Sequence, residues 1–230
     1  MTDGAPALRV LAHDLWVAER PLKLFVGDIG ARMTVMRLRD GGLLLHSPVR
    51  LDAGTRSALD ALGPVRAVVA PSKVHHLFVG DYTPVYPDAV VYGAPGLAAK
   101  RPRLRVDHVL GDEAPAAWRD DIDQHVFRGA PVLNEVVFLH RSTRTLVLTD
   151  LAFNVPATGS SGAPVFHWLV GAAGRFGPHR MVRAFIRDRR AARASVDRLL
   201  GWDFDRVIVS HGNVLETGGR DRVAAGFAFL

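Results

Sequence analysis

No cysteine occurs among the 230 residues. Disulfides, thiolate metal ligands and a cysteine nucleophile are thereby excluded. No run of about 18 uninterrupted apolar residues is found either, so no membrane span is indicated. The opening Met1-Thr2-Asp3-Gly4-Ala5-Pro6 lacks the basic-then-apolar pattern of an export signal, which makes the cytoplasm the expected compartment. Fixed-period repeats and low-complexity tracts are missing as well.

Against these absences, the composition is that of an ordinary globular chain. Hydrophobic residues make up 48% and charged residues 23%, enough to bury a core in a single domain of this length. The formal charge is +6, and much of the excess lies between Arg175 and Arg198, where Arg180, Arg183, Arg187, Arg189, Arg190 and Arg193 fall. Such a run could attract phosphates, nucleic acid or anionic lipid, but a solvated helix face is the plainer reading, and with no aromatic platform between the arginines single-stranded nucleic acid is disfavoured. A small-molecule substrate is expected, and no nucleic-acid partner.

The first third of the chain reads as short strands. Leu15–Ala18 is apolar, Met33–Leu38 alternates in the β manner, and Leu43–His46 is a buried strand separated from it by the turn Asp40-Gly41-Gly42. The period then lengthens. Residues 52–62 read as a short helix stopped by Gly63-Pro64, and Val65–Ala70 is a β-branched run ended by Pro71. Strand, helix, strand in that order implies a crossover within a layered α/β sandwich. Further strands are expected at Ala89–Tyr92, His125–Phe127, Glu135–His140, Thr145–Thr149 and Arg206–Ser210, with helices over about 187–200 and 221–230. Residues 155–187, with the flexible Thr158–Gly162 inside them, read as an insertion or lid on a single domain spanning 1–230.

Three polar clusters each follow a buried strand, where side chains of α/β folds converge. They are Ser72-Lys73-Val74-His75-His76 after Val65–Ala70, Asp150 with Asn154 beyond Thr145–Thr149, and His211 in Ser210-His211-Gly212. With thiolates missing, imidazole and carboxylate are the natural ligands for zinc, iron or manganese. Adjacent His75 and His76 would face opposite ways in a strand, but in a loop or first helical turn both could reach one site.

This succession of hairpin, helix, strand, His-bearing loop, strand-Asp and strand-Ser-His-Gly resembles the metallo-β-lactamase superfamily. The resemblance implies a four-layer αββα sandwich with metals at the strand ends. The superfamily's main motif, H-x-H-x-D-H, is largely lost: Ser72 stands at its first His, Val74 at the second, His76 at the Asp and Leu77 at the last His. Asp150 and His211 fall at two later ligand positions. The intervening Gly-His element would lie near Gly129-Ala130, where His is missing, with Glu135 or Asn134 to substitute. The strings Lys73–Phe78, Glu135–His140 and Arg144–Asn154 are similar to an uncharacterised family of this superfamily, whose members carry a domain of unknown function.

The reading that follows is a metal-dependent hydrolase of unspecified substrate. Its expected ligands are His75, His76, Glu135, Asp150 and His211, with His75 and Asp150 in catalysis and Lys73 and Asn154 toward substrate. Zinc is the expected ion, iron and manganese being alternatives. The rival readings are a metal-free pseudo-enzyme serving as a binding or scaffold module, and an iron oxidoreductase using the same pocket.

Overall fold

The computed structural model describes residues 7–156 and 169–230. Two strands, β1 (Arg9–Ala12) and β2 (Leu15–Arg20), open the chain as a hairpin. A second, two-stranded hairpin, β3 (Lys23–Leu24) and β4 (Gly27–Asp28), stands outside the main sheet. β5 (Ala31–Arg37) and β6 (Leu43–His46) then pair antiparallel about the Asp40-Gly41-Gly42 turn, as their alternation predicts.

Helix α1 (Ala53–Leu62) begins at Asp52, whose carboxylate accepts the Thr55 N–H at 2.6 Å, and ends at Gly63. It returns the chain to β7 (Val65–Ala70), parallel to β6. A turn of helix, α2 (Val79–Tyr82), precedes β8 (Val90–Gly93), and another, α3 (Leu97–Lys100), precedes β9 (His108–Val109). The resulting seven-stranded sheet runs β1-β2-β5-β6-β7-β8-β9. Its central β6 and β7 are apolar along nearly their whole length because they are covered on both faces.

β10 (Ile122–Val126), β11 (Val136–His140) and β12 (Thr145–Val147) form an antiparallel meander. β13 (Phe153–Val155) pairs with β14 (Arg175–Gly177) in a separate ribbon. α4 (Arg180–Phe185) and α5 (Arg189–Leu200) lead to β15 (Arg206–Ile208), which adds parallel to β12, and α6 (Gly219–Gly226) closes the described chain. The second sheet is therefore β10-β11-β12-β15.

Three apolar clusters define four layers. Leu44, Val69, Phe138, Val147 and Ile208 fill the gap between the two sheets. Leu43, Leu45, Val68 and Leu59 pack the outer face of the large sheet under α1. Val137, Leu146 and Val207 pack the outer face of the small sheet against Ala192 and Val196 of α5 and Val223 of α6. This is the αββα arrangement expected from the sequence.

Some boundaries differ. The strand expected at His125–Phe127 starts earlier, at Ile122, and the one expected to run to Thr149 stops at Val147. Its last residues turn away because Thr149, Asp150 and Leu151 give their N–H groups to the Glu135 carboxylate instead of to a strand. Of the segment 155–187, residues 157–168, including the expected loop Thr158–Gly162, lie outside the described residues. The remainder contributes β14 and α4, whose Phe176 and Val182 join the outer core of the small sheet. No helix among the described residues is long and apolar enough to cross a membrane.

Candidate metal centre

At one end of the sandwich His75, Asp150 and His211 converge. They come from the turn after β7, the turn after β12 and the loop after β15, and their ligand atoms all lie within 4.8 Å of one another. His75 Nε2 is 3.2 Å and His211 Nε2 3.4 Å from the same carboxylate oxygen, Asp150 Oδ1. All three side chains are almost wholly buried.

Each donor is aimed by a second contact. Nδ1 of His211 lies 2.9 Å from the Gly30 carbonyl. A carbonyl only accepts, so Nδ1 carries a proton, and in the neutral ring Nε2 presents its lone pair to Asp150. His75 Nδ1 lies 2.8 Å from the Ser47 hydroxyl. Ser47 follows β6 with φ 56°, a left-handed conformation unusual for serine, and that backbone carries its hydroxyl to the ring. The turn bearing His75 is itself tied by Ser72 Oγ, which accepts the N–H groups of Val74 and His75. Asp150 is fixed through its backbone: Glu135 accepts the N–H of Thr149 at 2.6 Å, of Asp150 at 2.8 Å and of Leu151 at 3.0 Å. Arg32 holds the His211 loop by donating to the Val209 and Gly212 carbonyls on either side of it, with its charge met by Glu19. Gly212 has φ 91°, and a Cβ there would fall 2.2 Å from the Asn154 carbonyl oxygen, so the loop is pressed against β13.

The electrostatics follow from this burial. Desolvation opposes ionisation of Asp150, but the charges and hydrogen bonds of His75 and His211 hold its carboxyl far below the ordinary range. Desolvation likewise opposes the imidazolium of His75, and Asp150 and Glu135 outweigh it and raise the pKa. Glu135 is pushed up to about 7 by burial and the Asp150 charge, with the Thr149 N–H and His75 pulling the other way. Beneath the cluster His46 sits edge-on to Phe138 with its pKa pushed down to about 3, first by burial and then by His75, so it stays neutral.

The five expected ligands thus separate. His75, Asp150 and His211 meet. His76 turns away: its Nε2 accepts from Arg101 Nε at 3.3 Å, and burial with the Arg101 charge lowers its pKa. The two neighbours diverge because the chain makes a tight turn here, the His76 N–H bonding to the Val74 carbonyl. Glu135 stands behind Asp150 with both oxygens given to backbone N–H groups. Lys73 Nζ donates to the Pro131 carbonyl, and Asn154 uses its side chain on the Asn213 carbonyl and its backbone on the His211 loop. Ser47 and Gly30 are not among the residues that the sequence pattern singles out. His46-Ser47 follows a buried strand as the three chosen clusters do, so that signal was present for Ser47, whereas a backbone carbonyl such as that of Gly30 leaves none.

Two cavities adjoin the three donors. One, about 120 Å³, is bordered by His75, His76, Leu77, Phe78 and Leu22. The other, about 180 Å³, is bordered by Leu133, Phe153, Met181, Val182 and Phe185. Leu24, Ile29, Val74, Asp150 and His211 line both. A larger cavity of about 380 Å³ opens on the far side of Gly30, and none of the three donors lines it.

A family model described as a domain of unknown function, DUF4336, matches residues 12–163. No curated protein matches the chain. Solved structures of metallo-β-lactamases superpose over nearly the whole of it. One from Pontibacter korlensis is 12% identical, with 97% of this chain and 99% of that one covered and a TM-score of 0.66. One from Erythrobacter litoralis is 14% identical, with 97% and 96% covered and a TM-score of 0.67. FIM-1 from Pseudomonas aeruginosa, in its mono-zinc form, is 13% identical, with 96% and 94% covered and a TM-score of 0.64. At these identities the likeness is one of fold.

Proposed function

The chain belongs to the DUF4336 family, domains of unknown function, and on its metallo-β-lactamase fold we propose that it is a metal-dependent hydrolase whose cation is held by His75, Asp150 and His211. The observation that carries this reading is the confrontation at Asp150 Oδ1. A buried carboxylate oxygen faces two ring nitrogens, and a neutral His211 ring, protonated at Nδ1 against the Gly30 carbonyl, points a lone pair at it. Electron-rich atoms facing one another out of water require a positive charge between them. Protons on both imidazoles would supply it, and so would one cation with nitrogen and oxygen ligands. The donor set fits zinc: two imidazoles and one carboxylate leave a fourth position open, as hydrolytic sites do.

When bound, such an ion polarises a carbonyl or phosphoryl oxygen and makes water acidic enough to attack near neutral pH. The chain's own residues do the rest. Ser47 and the Gly30 carbonyl keep the two imidazoles from rotating. Both imidazoles face Asp150 Oδ1, which leaves Oδ2 to take the proton of the attacking water. As the new bond to oxygen forms and the scissile bond breaks, that proton passes to the leaving group. Leu24, Ile29 and Val74 border the site with hydrocarbon and thin the water around it.

The test is metal content after purification without an affinity tag. We expect about one equivalent of zinc, lost on His211→Ala and on Asp150→Asn. No metal under supplementation with zinc, iron or manganese would leave the metal-free binding module as the reading. Two imidazoles and one carboxylate also suit iron(II), so iron together with oxygen consumption would replace hydrolysis by oxidation.

A further inference from the structure

The walls of the site are more informative about its ligand than its donors are. On one side of Asp150 and His211 the cavity runs between Leu133, Phe153, Met181, Val182 and Phe185, with His179 the remaining polar neighbour. Hydrocarbon continues outward onto the surface. Leu24 and Met181 are exposed at its mouth, and Phe25, at the tip of the β3–β4 hairpin, is 100% exposed. Large side chains left in water next to a cavity mark a surface that is covered in use.

Close to the smaller cavity the surface is cationic. His76 lines the smaller cavity and takes a hydrogen bond from Arg101. Lys100 Nζ donates to the Lys73 carbonyl at 2.7 Å, and Lys73 Nζ to the Pro131 carbonyl. Lys73, Lys100 and Arg101 are thus gathered at one edge, and among the described residues none of them has a carboxylate partner. Other arginines beside the sheets are paired with carboxylates, as in Arg20–Asp52, Arg32–Glu19, Arg128–Asp112 and Arg206–Glu216.

We propose that this site takes a soluble anionic amphiphile: its single hydrocarbon chain lies in the groove between Leu133 and Met181, and its anionic end faces Lys73, Lys100 and Arg101. The inference deepens the hydrolase reading, since that reading makes the ligand a substrate, but the two stand or fall on different measurements.

The probes are unbranched alkyl carboxylates from hexanoate to dodecanoate, below their micelle concentrations, titrated by calorimetry into chelator-treated protein. Burying a methylene contributes about 0.8 kcal/mol, so each added carbon should tighten binding about three- to fourfold until the groove is full. Alkyltrimethylammonium ions of equal length should bind at least about tenfold more weakly, given unpaired cations at the rim. Met181→Glu should flatten the chain-length series, and Arg101→Glu with Lys100→Glu should abolish the preference for the anion. All three positions are at the surface, and unchanged thermal unfolding would show that the variants fold. A flat series in the wild-type protein overturns the proposal even if zinc is bound. A rising series with no metal under any supplementation keeps the amphiphile site and ends the hydrolase. Flotation with anionic phospholipid vesicles that depends on Phe25, with no chain-length effect in solution, would overturn the proposal in favour of a membrane surface.

Discussion

Glu135 positions Asp150 through the main chain and stays out of the cluster itself, since its Oε2 accepts the Asp150 backbone N–H at 2.8 Å while the Asp150 side chain faces His75 and His211. Three consecutive N–H groups end on this one carboxylate, which shapes the turn that delivers Asp150. In Glu135→Gln an amide nitrogen takes the place of one acceptor, and at least one buried N–H is left unpaired. We expect a loss of about 1–3 kcal/mol, seen as a lower Tm in excess chelator, together with weaker zinc binding in a competition titration. A ligand role for Glu135 would show differently, as weaker zinc binding with an unaltered Tm in chelator.

The Ser47 hydroxyl acts on the site through the His75 ring. Two substitutions separate its hydroxyl from its backbone. Ser47→Gly removes the hydroxyl and tolerates φ 56°, whereas Ser47→Ala removes it and keeps a Cβ in the left-handed region. Both should weaken metal binding by about 10–100-fold, the usual effect of removing a group that orients a ligating histidine. Ser47→Ala should also be the less stable of the two in the metal-free state. Unchanged metal affinity in the glycine variant would mean that the 2.8 Å contact does not orient the ring.

Much of the sandwich was legible in the chain because burial on both faces leaves an unmistakable mark. Leu43–His46 and Val65–Ala70 are apolar runs closed by turn residues, and they fold with those limits. Less was legible where structure depends on partners remote in sequence. The β3–β4 hairpin pairs over only two residues per strand, Lys23–Leu24 with Gly27–Asp28, too short for any periodicity. At the site the sequence could locate strand ends but not directions. His75 and His76 are chemically identical, and which of them faces Asp150 is decided by a tight turn and by Arg101, 25 residues later. Asp150 could be read as buried and charged, but the acceptor that shapes its turn, Glu135, was visible only as another candidate ligand.

Asp52 gives a pH dependence that is independent of the metal. As N-cap of α1 it accepts the Thr55 N–H, and Arg20 bonds its other oxygen at 2.8 Å. Arg20, ahead of the cap bond, lowers its pKa from 3.8 to about 2. A carboxylate whose folded pKa is depressed contributes stability that is fully present above its unfolded pKa and is lost as pH falls through its folded one. The window here is therefore about pH 4 down to about pH 2. Asn caps a helix about as well as Asp, so Asp52→Asn isolates the charge, whereas Asp52→Ala removes the cap as well, at about 1 kcal/mol. The half-exposed Arg20–Asp52 pair is screened by solvent, so the charge term should be small and should shrink with added salt. Denaturant unfolding across pH should show Asp52→Asn less stable than wild type at neutral pH and converging with it in that acidic window, while Asp52→Ala stays below both. A deficit in Asp52→Asn that is constant with pH, or that widens on acidification, would show that Arg20 does not act on this carboxylate as the geometry requires.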